Sequence, residues 1–214
     1  MEIPDLLNDY AARHSTPEDA ILLQLNRETN LSTVYPNMCS GSQQGKLLEM
    51  LSRMIIPARI MEIGTFTGYS AICMARGLAP GGLLHTMDLN DETSAIAAKY
   101  FKLAGMTDRI IFHLGDARSV IPKLHESFDL VFIDGDKKQY LDYYHLVMPT
   151  LKSGGFILAD NVLWGGKILY PVKSHDKETQ GIIDFNTFVS EDVRVEKLLL
   201  PLRDGLFMLQ KICD

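Results

Sequence analysis

Cysteine is scarce in this chain. Cys39, Cys73 and Cys213 are the only three, far apart and odd in number, which argues against a disulfide framework or a zinc motif. A reducing, cytoplasmic setting is the expectation. Long hydrophobic runs are also missing: no apolar stretch approaches the ~20 residues that a membrane-spanning helix needs. No run of Lys and Arg occurs, and 21 basic against 27 acidic residues leave a net charge of −6. Such a balance offers no global field for nucleic acid or an anionic membrane. The first residues, Met1-Glu2-Ile3-Pro4-Asp5, lack the basic-then-apolar order of a secretory signal. The six histidines fall without metal-ligand spacing and read as surface or satisfied core residues. Internal repeats, low-complexity tracts and Pro/Ser-rich linkers are absent.

What remains is a chain of 214 residues with 46% hydrophobic and 22% charged residues, ordinary values for a globular enzyme. The length favours one domain over residues 1–214, with a helical segment at 1–56 and an α/β core at 57–214. The first forty residues read as amphipathic helix with breaks near Pro17 and Pro36. From Ser42 onward, Leu47, Leu48, Leu51, Met54 and Ile55 recur at helical spacing and stop before Pro57.

Beyond Pro57 short apolar runs alternate with helical periodicity. The runs lie at 59–63, 83–87, 109–114, 128–133 and 155–159. Between them, Ile96, Tyr100 and Leu103 precede Gly105, and Tyr140, Tyr144 and Val147 precede Pro149. Unbroken runs such as Leu130-Val131-Phe132-Ile133 suit strands buried on both faces of a parallel sheet. Repeated β-α units imply right-handed crossovers and an open, doubly wound sheet of Rossmann-like type. A helix is expected at about 177–190, then strands at 193–199 and 206–212. Pro201-Leu202-Arg203-Asp204-Gly205 between them is too short for a crossover helix, so these two strands are expected to be antiparallel neighbours.

Ligands of such sheets bind beyond the carboxyl ends of the strands. The first strand ends in Met61-Glu62-Ile63-Gly64-Thr65-Phe66-Thr67-Gly68-Tyr69-Ser70 and opens into a helix. Gly64 and Gly68 let the backbone turn tightly and approach a ligand. Glu62 stands where a dinucleotide fingerprint has its first glycine. A carboxylate there repels pyrophosphate but tolerates a ligand that is cationic at its reacting end. Asp88, at the end of the second strand, can accept hydrogen bonds from ribose hydroxyls; its plain alternative is a helix cap. Together Glu62, Gly64 and Asp88 point to S-adenosylmethionine. Gly115-Asp116-Ala117 follows the third strand, suited to bordering adenine or to a simple turn.

The fourth strand ends in Asp134-Gly135-Asp136-Lys137 and the fifth in Asp160-Asn161. Asp134, Asp160 and Asn161 make an oxygen-rich cluster that suits Mg²⁺, with Mn²⁺ or Ca²⁺ as alternatives, and either pair read alone is also a turn. Lys137 is a surface charge by default and, next to a cation, a candidate base. Trp164, the single tryptophan, either walls an aromatic substrate or packs in the core.

These motifs resemble the cation-dependent O-methyltransferases of the caffeoyl-CoA and catechol O-methyltransferase type, in a short bacterial-style form. The resemblance runs from about Tyr35 to the C-terminus. It implies a class I methyltransferase fold with seven strands, an antiparallel last strand and N-terminal helices. Metal ligands are then Asp134, Asp160 and Asn161, and Lys137 matches the proposed catalytic base. Cofactor contacts are implied at Glu62, Gly64, Thr65, Ser70, Asp88, Ala117 and Asp134, and at Ser40, where the family usually has threonine. A homodimer acting on a catechol-like or other vicinal-dihydroxy aromatic small molecule is implied as well. Three other readings stay open: a metal-independent methyltransferase acting on nitrogen or carbon, a nicotinamide-dependent oxidoreductase, and a non-enzymatic nucleoside sensor.

Overall fold

The computed structural model describes residues 5–213; residues 1–4, on which the reading of a missing secretory signal mostly rests, lie outside them. Three helices come first: α1 (Asp5–Arg13), α2 (Ala20–Ser32) and α3 (Gly41–Ile55). Asp19 starts α2 by accepting the amides of Ile21 and Leu22, the ordinary N-cap arrangement. The core then alternates as β1 (Arg59–Ile63), α4 (Tyr69–Ala75), β2 (Leu83–Asp88), α5 (Ser94–Leu103), β3 (Ile110–Leu114), α6 (Ala117–Val120), β4 (Phe128–Ile133), α7 (Tyr140–Val147) and β5 (Leu151–Asp160). It finishes with α8 (Lys177–Glu191), β6 (Val195–Leu200) and β7 (Leu206–Lys211).

The seven strands form one sheet in the order β3-β2-β1-β4-β5-β7-β6. Pairings among β1 to β5 are parallel, and β7 runs antiparallel to both β5 and β6. The expected terminal hairpin is therefore present, and its second strand slots between β5 and β6. Alternation along each strand divides two apolar layers. Ile60, Leu84, Leu130, Phe132 and Leu158 face Leu25, Leu48, Ile72 and Phe101. Met61, Ile63, Val131, Ile133 and Ile157 face Tyr140, Tyr144, Phe185 and Val189 on the other side. Neighbouring residues thus enter opposite layers, which explains why the strand sequences are apolar without interruption.

Helix α3 keeps most of the expected apolar stripe, with Leu47, Leu51 and Ile55 partly buried against the core layer. Leu48 is fully buried, but Met54 is 77% exposed. Beside Leu48, the buried face also takes in Gln44, Gly45, Glu49 and Ser52. A Cβ on Gly45 would come within 2.4 Å of the Tyr69 ring, so α3 meets α4 through small and polar residues at close range. Among the described residues, no helix is long and apolar enough to cross a membrane. All three cysteines are free thiols.

Candidate active site

Strand register sets the site. Ile63 pairs with both Met87 and Ile133, and Ile133 with Ala159. The next residues along, Gly64, Asp88, Asp134 and Asp160, therefore stand in one row across the carboxyl edge of β2, β1, β4 and β5. The chain runs outward in both directions from the β1–β4 pair, which is the switch point of the sheet.

Gly64 occupies the centre of that crevice at φ +101°, and a Cβ there would lie 2.2 Å from the Asp134 carbonyl oxygen. Only glycine fits both the angle and the approach. The loop that follows is clasped from β2. Asp88 Oδ2 accepts the amides of Thr65 at 3.0 Å and Phe66 at 2.8 Å, while Oδ1 accepts the amide of Asn90 at 2.9 Å. Asp88 does not cap α5, whose N-cap is Thr93. Its acceptor positions remain partly open to solvent.

Glu62 points inward and is fully buried. Ser70 at the start of α4 donates to its Oε1 at 2.6 Å, and Thr86 of β2 donates to its Oε2 at 2.6 Å. Thr65 in turn lies 2.5 Å from the Thr86 hydroxyl. Burial pushes the Glu62 carboxyl up to about 8, helped by the nearby Asp134 and Asp88 and opposed by the two hydroxyl donors. An uncompensated buried acid of this kind favours its neutral form until positive charge arrives. Glu62, Thr65 and Ser70 thus form one linked group beneath the glycine loop. Ala117 is buried at the first position of α6 and joins the row through Gly115, whose amide donates to the Asp88 carbonyl at 2.8 Å. Ser40 is buried just ahead of α3, with no capping bond from its side chain.

The other half of the row carries oxygen donors. Lys137 donates from Nζ to Asp134 Oδ1 at 2.7 Å and to the Tyr140 hydroxyl at 2.8 Å. Tyr140, fully buried, donates to the Asp160 carbonyl at 3.0 Å. Asp160 Oδ1 accepts the Asn161 amide at 2.8 Å, and Oδ2 accepts Gln44 Nε2 at 2.6 Å. Burial first, then repulsion from Asp134, raises the Asp160 carboxyl to about 6. Asn161 holds φ +58°, a left-handed conformation that asparagine tolerates, and its carboxamide has no protein hydrogen-bond partner among the described residues.

Among the described residues, no group of three or more His, Cys, Asp or Glu could hold a metal ion. The set here is two repelling carboxylates and one free amide. Its chemistry fits a hard cation that keeps several waters, as Mg²⁺ does. The ring of Trp164 lies 6.0 Å from Lys137 Nζ and 5.5 Å from Lys167 Nζ, so Trp164 both packs against the core layer and borders the site. Beyond it opens a cleft of about 700 Å³ that includes Lys138, Lys167, Tyr170 and His175.

Three contributors escape sequence reasoning. Tyr140 follows Lys137 at the helical i+3 spacing, a signal that was available. Gln44 and Arg203 lie 116 and 43 residues from Asp160 (160 − 44; 203 − 160) and carry no local signal. Elsewhere, the histidines read as unremarkable include a pair: His85 Nδ1 and His113 Nε2 lie 3.0 Å apart on β2 and β3.

A sheet in this order, with an acidic glycine loop at its switch point and an acid on the next strand, defines the class of S-adenosylmethionine-dependent methyltransferases. Within that class the chain belongs to the O-methyltransferase family, whose model matches residues 12–212. It is 31% identical to a caffeoyl-CoA O-methyltransferase of Eucalyptus gunnii over 97% of this chain and 88% of that one. Among solved structures, it resembles the O-methyltransferase from Bacillus cereus in complex with SAH. Identity there is 27% and the TM-score 0.88, over 96% of this chain and 97% of that one. The O-methyltransferase TomG from Streptomyces achromogenes, in complex with SAM and involved in tomaymycin synthesis, is 28% identical with a TM-score of 0.90. That match spans 97% of this chain and 96% of the other. The protein is an S-adenosylmethionine-dependent O-methyltransferase.

Proposed function

We propose that this enzyme methylates one of two neighbouring hydroxyls on a small, catechol-like aromatic acceptor, with a divalent cation held by Asp134, Asp160 and Asn161. The opposition of Asp134 and Asp160 across the β4–β5 pair, with Lys137 2.7 Å from Asp134, supports this reading most directly.

S-Adenosylmethionine, when bound, supplies the methyl group on a sulfonium. A divalent cation, Mg²⁺ in the first instance and Mn²⁺ or Ca²⁺ otherwise, supplies Lewis acidity that lowers the pKa of a hydroxyl beside it. The chain's residues do the rest. Gly64 leaves the β1–β4 crevice open to a close ligand, and Asp88 offers its remaining acceptor positions to ribose hydroxyls. Ser40, Thr65, Ser70, Ala117 and Asp134 border the cofactor, and Glu62 places negative potential under its cationic end. Lys137, oriented by Asp134 and Tyr140, takes the acceptor's hydroxyl proton on Nζ when it stands as the neutral amine. Trp164 walls the ring and keeps water away. Charge on donor and acceptor is neutralised as the methyl moves, so a dry pocket does not oppose the step. Holding the two partners in line contributes up to ~7–11 kcal/mol of effective concentration.

Helical segment and α/β core act here as one domain, in a cytoplasmic homodimer with neither nucleic acid nor membrane as partner. The test is S-adenosylhomocysteine release across catechols, hydroxycinnamoyl esters and flavonoids, with and without EDTA. Catechol turnover abolished by EDTA and by Asp160→Ala is expected. Undiminished turnover in EDTA favours the metal-independent alternative.

A further inference from the structure

We propose that Gln44 and Arg203 are positioning residues for Asp160, setting its carboxylate in the orientation in which it receives the cation. The inference rests on the reading of Asp160 as a cation ligand and adds two residues to it.

The argument begins with the amide of Gln44, which is buried to 2% exposure. A carboxamide presents a donor at one end and an acceptor at the other, and rotation by half a turn exchanges them. Only the donor end is useful against a carboxylate; the acceptor end would repel it. Arg203 decides between the two. Its guanidinium has donors and no acceptor, and Nη1 donates to Gln44 Oε1 at 2.7 Å. With the oxygen taken, the Gln44 NH₂ group must face Asp160 Oδ2, where it donates at 2.6 Å. Arg203 Nη2 also donates to the Cys39 carbonyl at 3.3 Å, tying down the strand of chain that leads through Ser40 into α3.

The fold makes the arrangement available. Leu206 of β7 pairs with Asp160 of β5, so the turn ahead of β7 lies directly over the end of β5. Arg203 adopts φ +51° within that turn, a conformation costly for a non-glycine residue and retained where surrounding structure imposes it. Asn161 N fixes the other carboxylate oxygen. Asp160 is thus aimed before any cation arrives, and by a neutral group that leaves its charge available. Outer partners of metal-ligating carboxylates act in this way generally, and their loss commonly costs 10–100-fold in affinity.

The test is Mn²⁺ binding to the full chain, followed by electron paramagnetic resonance of free Mn²⁺, for wild type, Gln44→Met, Arg203→Met and Arg203→Lys. S-Adenosylhomocysteine affinity in EDTA and the unfolding midpoint of each metal-free protein are measured alongside. Gln44→Met is expected to weaken Mn²⁺ by at least about tenfold. Arg203→Met should weaken it by several-fold, with Arg203→Lys recovering little because a single ammonium cannot serve both oxygens. Cofactor affinity without metal should stay within about twofold, which a general structural defect would not allow. Wild-type Mn²⁺ affinity in Gln44→Met overturns the inference. Should that variant not fold, Arg203→Met decides alone, since Arg203 is exposed; unchanged affinity there overturns it equally. Wild-type protein that takes up no Mn²⁺ overturns the cation reading and this inference together.

Discussion

Lys137 sits 2.7 Å from Asp134, three residues earlier in the chain, and holds its ammonium between that carboxylate and the Tyr140 hydroxyl. The lysine is therefore positioned by two fixed oxygens, one from the strand end and one from the helix that follows. Tyr140 is the more informative of the two to remove, because its ring is core and its hydroxyl links Lys137 to the carbonyls of Asp160 at 3.0 Å and Ile133 at 3.4 Å.

Tyr140→Phe keeps the ring and deletes that hydroxyl. A lost hydrogen bond to a charged group costs about 1.5–3 kcal/mol, so kcat should fall by about tenfold or more while cofactor affinity holds. Steady-state S-adenosylhomocysteine release checks this; an unchanged kcat would detach Tyr140 from Lys137's task. For Lys137→Ala, an unaltered pH–rate profile would remove the lysine from the base role.

Glu62 should couple proton release to cofactor binding. Its buried carboxyl stands at about 8, so at pH 7 it is mainly protonated, and a cationic ligand end nearby favours ionisation. Calorimetric titration with S-adenosylmethionine in buffers of different ionisation enthalpy should show up to one proton released. A buffer-independent enthalpy would contradict the expectation. The same group affects stability without ligand. Its folded pKa lies above the unfolded value, so its contribution is fully present below about pH 4.5 and is lost as pH rises through about 8. Glu62→Gln should flatten that decline in urea unfolding between pH 5 and 9.

Gly64→Ala should be among the most damaging small substitutions. Its added Cβ would stand 2.2 Å from the Asp134 carbonyl oxygen, just past the end of β4, at a φ of +101°. Backbone strain of 1–3 kcal/mol adds to forced separation of β1 and β4. A stability loss of at least ~3 kcal/mol by denaturant titration and loss of measurable S-adenosylhomocysteine binding are expected.

The histidine pair should act on stability with the opposite sign. Burial lowers both His85 and His113, with Glu126 opposing and Arg59 reinforcing the effect at His85 and His85 itself reinforcing it at His113. Folded pKa values below the unfolded value of about 6.5 make their contribution present above that pH and lost as pH falls through the folded values. His113→Gln should make the fall in thermal midpoint between pH 6.5 and 5 shallower. An identical slope would show the pair to be irrelevant to acid stability.

Much of this was legible in the amino-acid order because it is local. Alternating runs and helical spacing report burial on two faces or one, and they placed β1 and β4 at their observed limits. The short Pro201–Gly205 link could only join antiparallel neighbours. Less legible was the rest of the packed face of α3, because the apolar spacing from Leu47 to Ile55 marks only part of it. Gln44, Gly45 and Ser52 are buried there too, since Gly45 leaves room for the Tyr69 ring, Ser52 donates to the Met74 carbonyl and Gln44 donates to Asp160.

Residue types at strand ends are a property of the chain alone: Glu62, Gly64, Asp88, Asp134, Lys137, Asp160 and Asn161 could be picked out because α/β sheets bring every such end to one edge. Which of them touch, and through what, was decided by folding. Register put Asp134 opposite Asp160. The antiparallel entry of β7 brought Arg203 above Asp160, and the packing of α3 brought in Gln44. Hydrogen bonds and desolvation depend on distances of a few ångströms between residues tens to more than a hundred positions apart, and no local pattern records those distances.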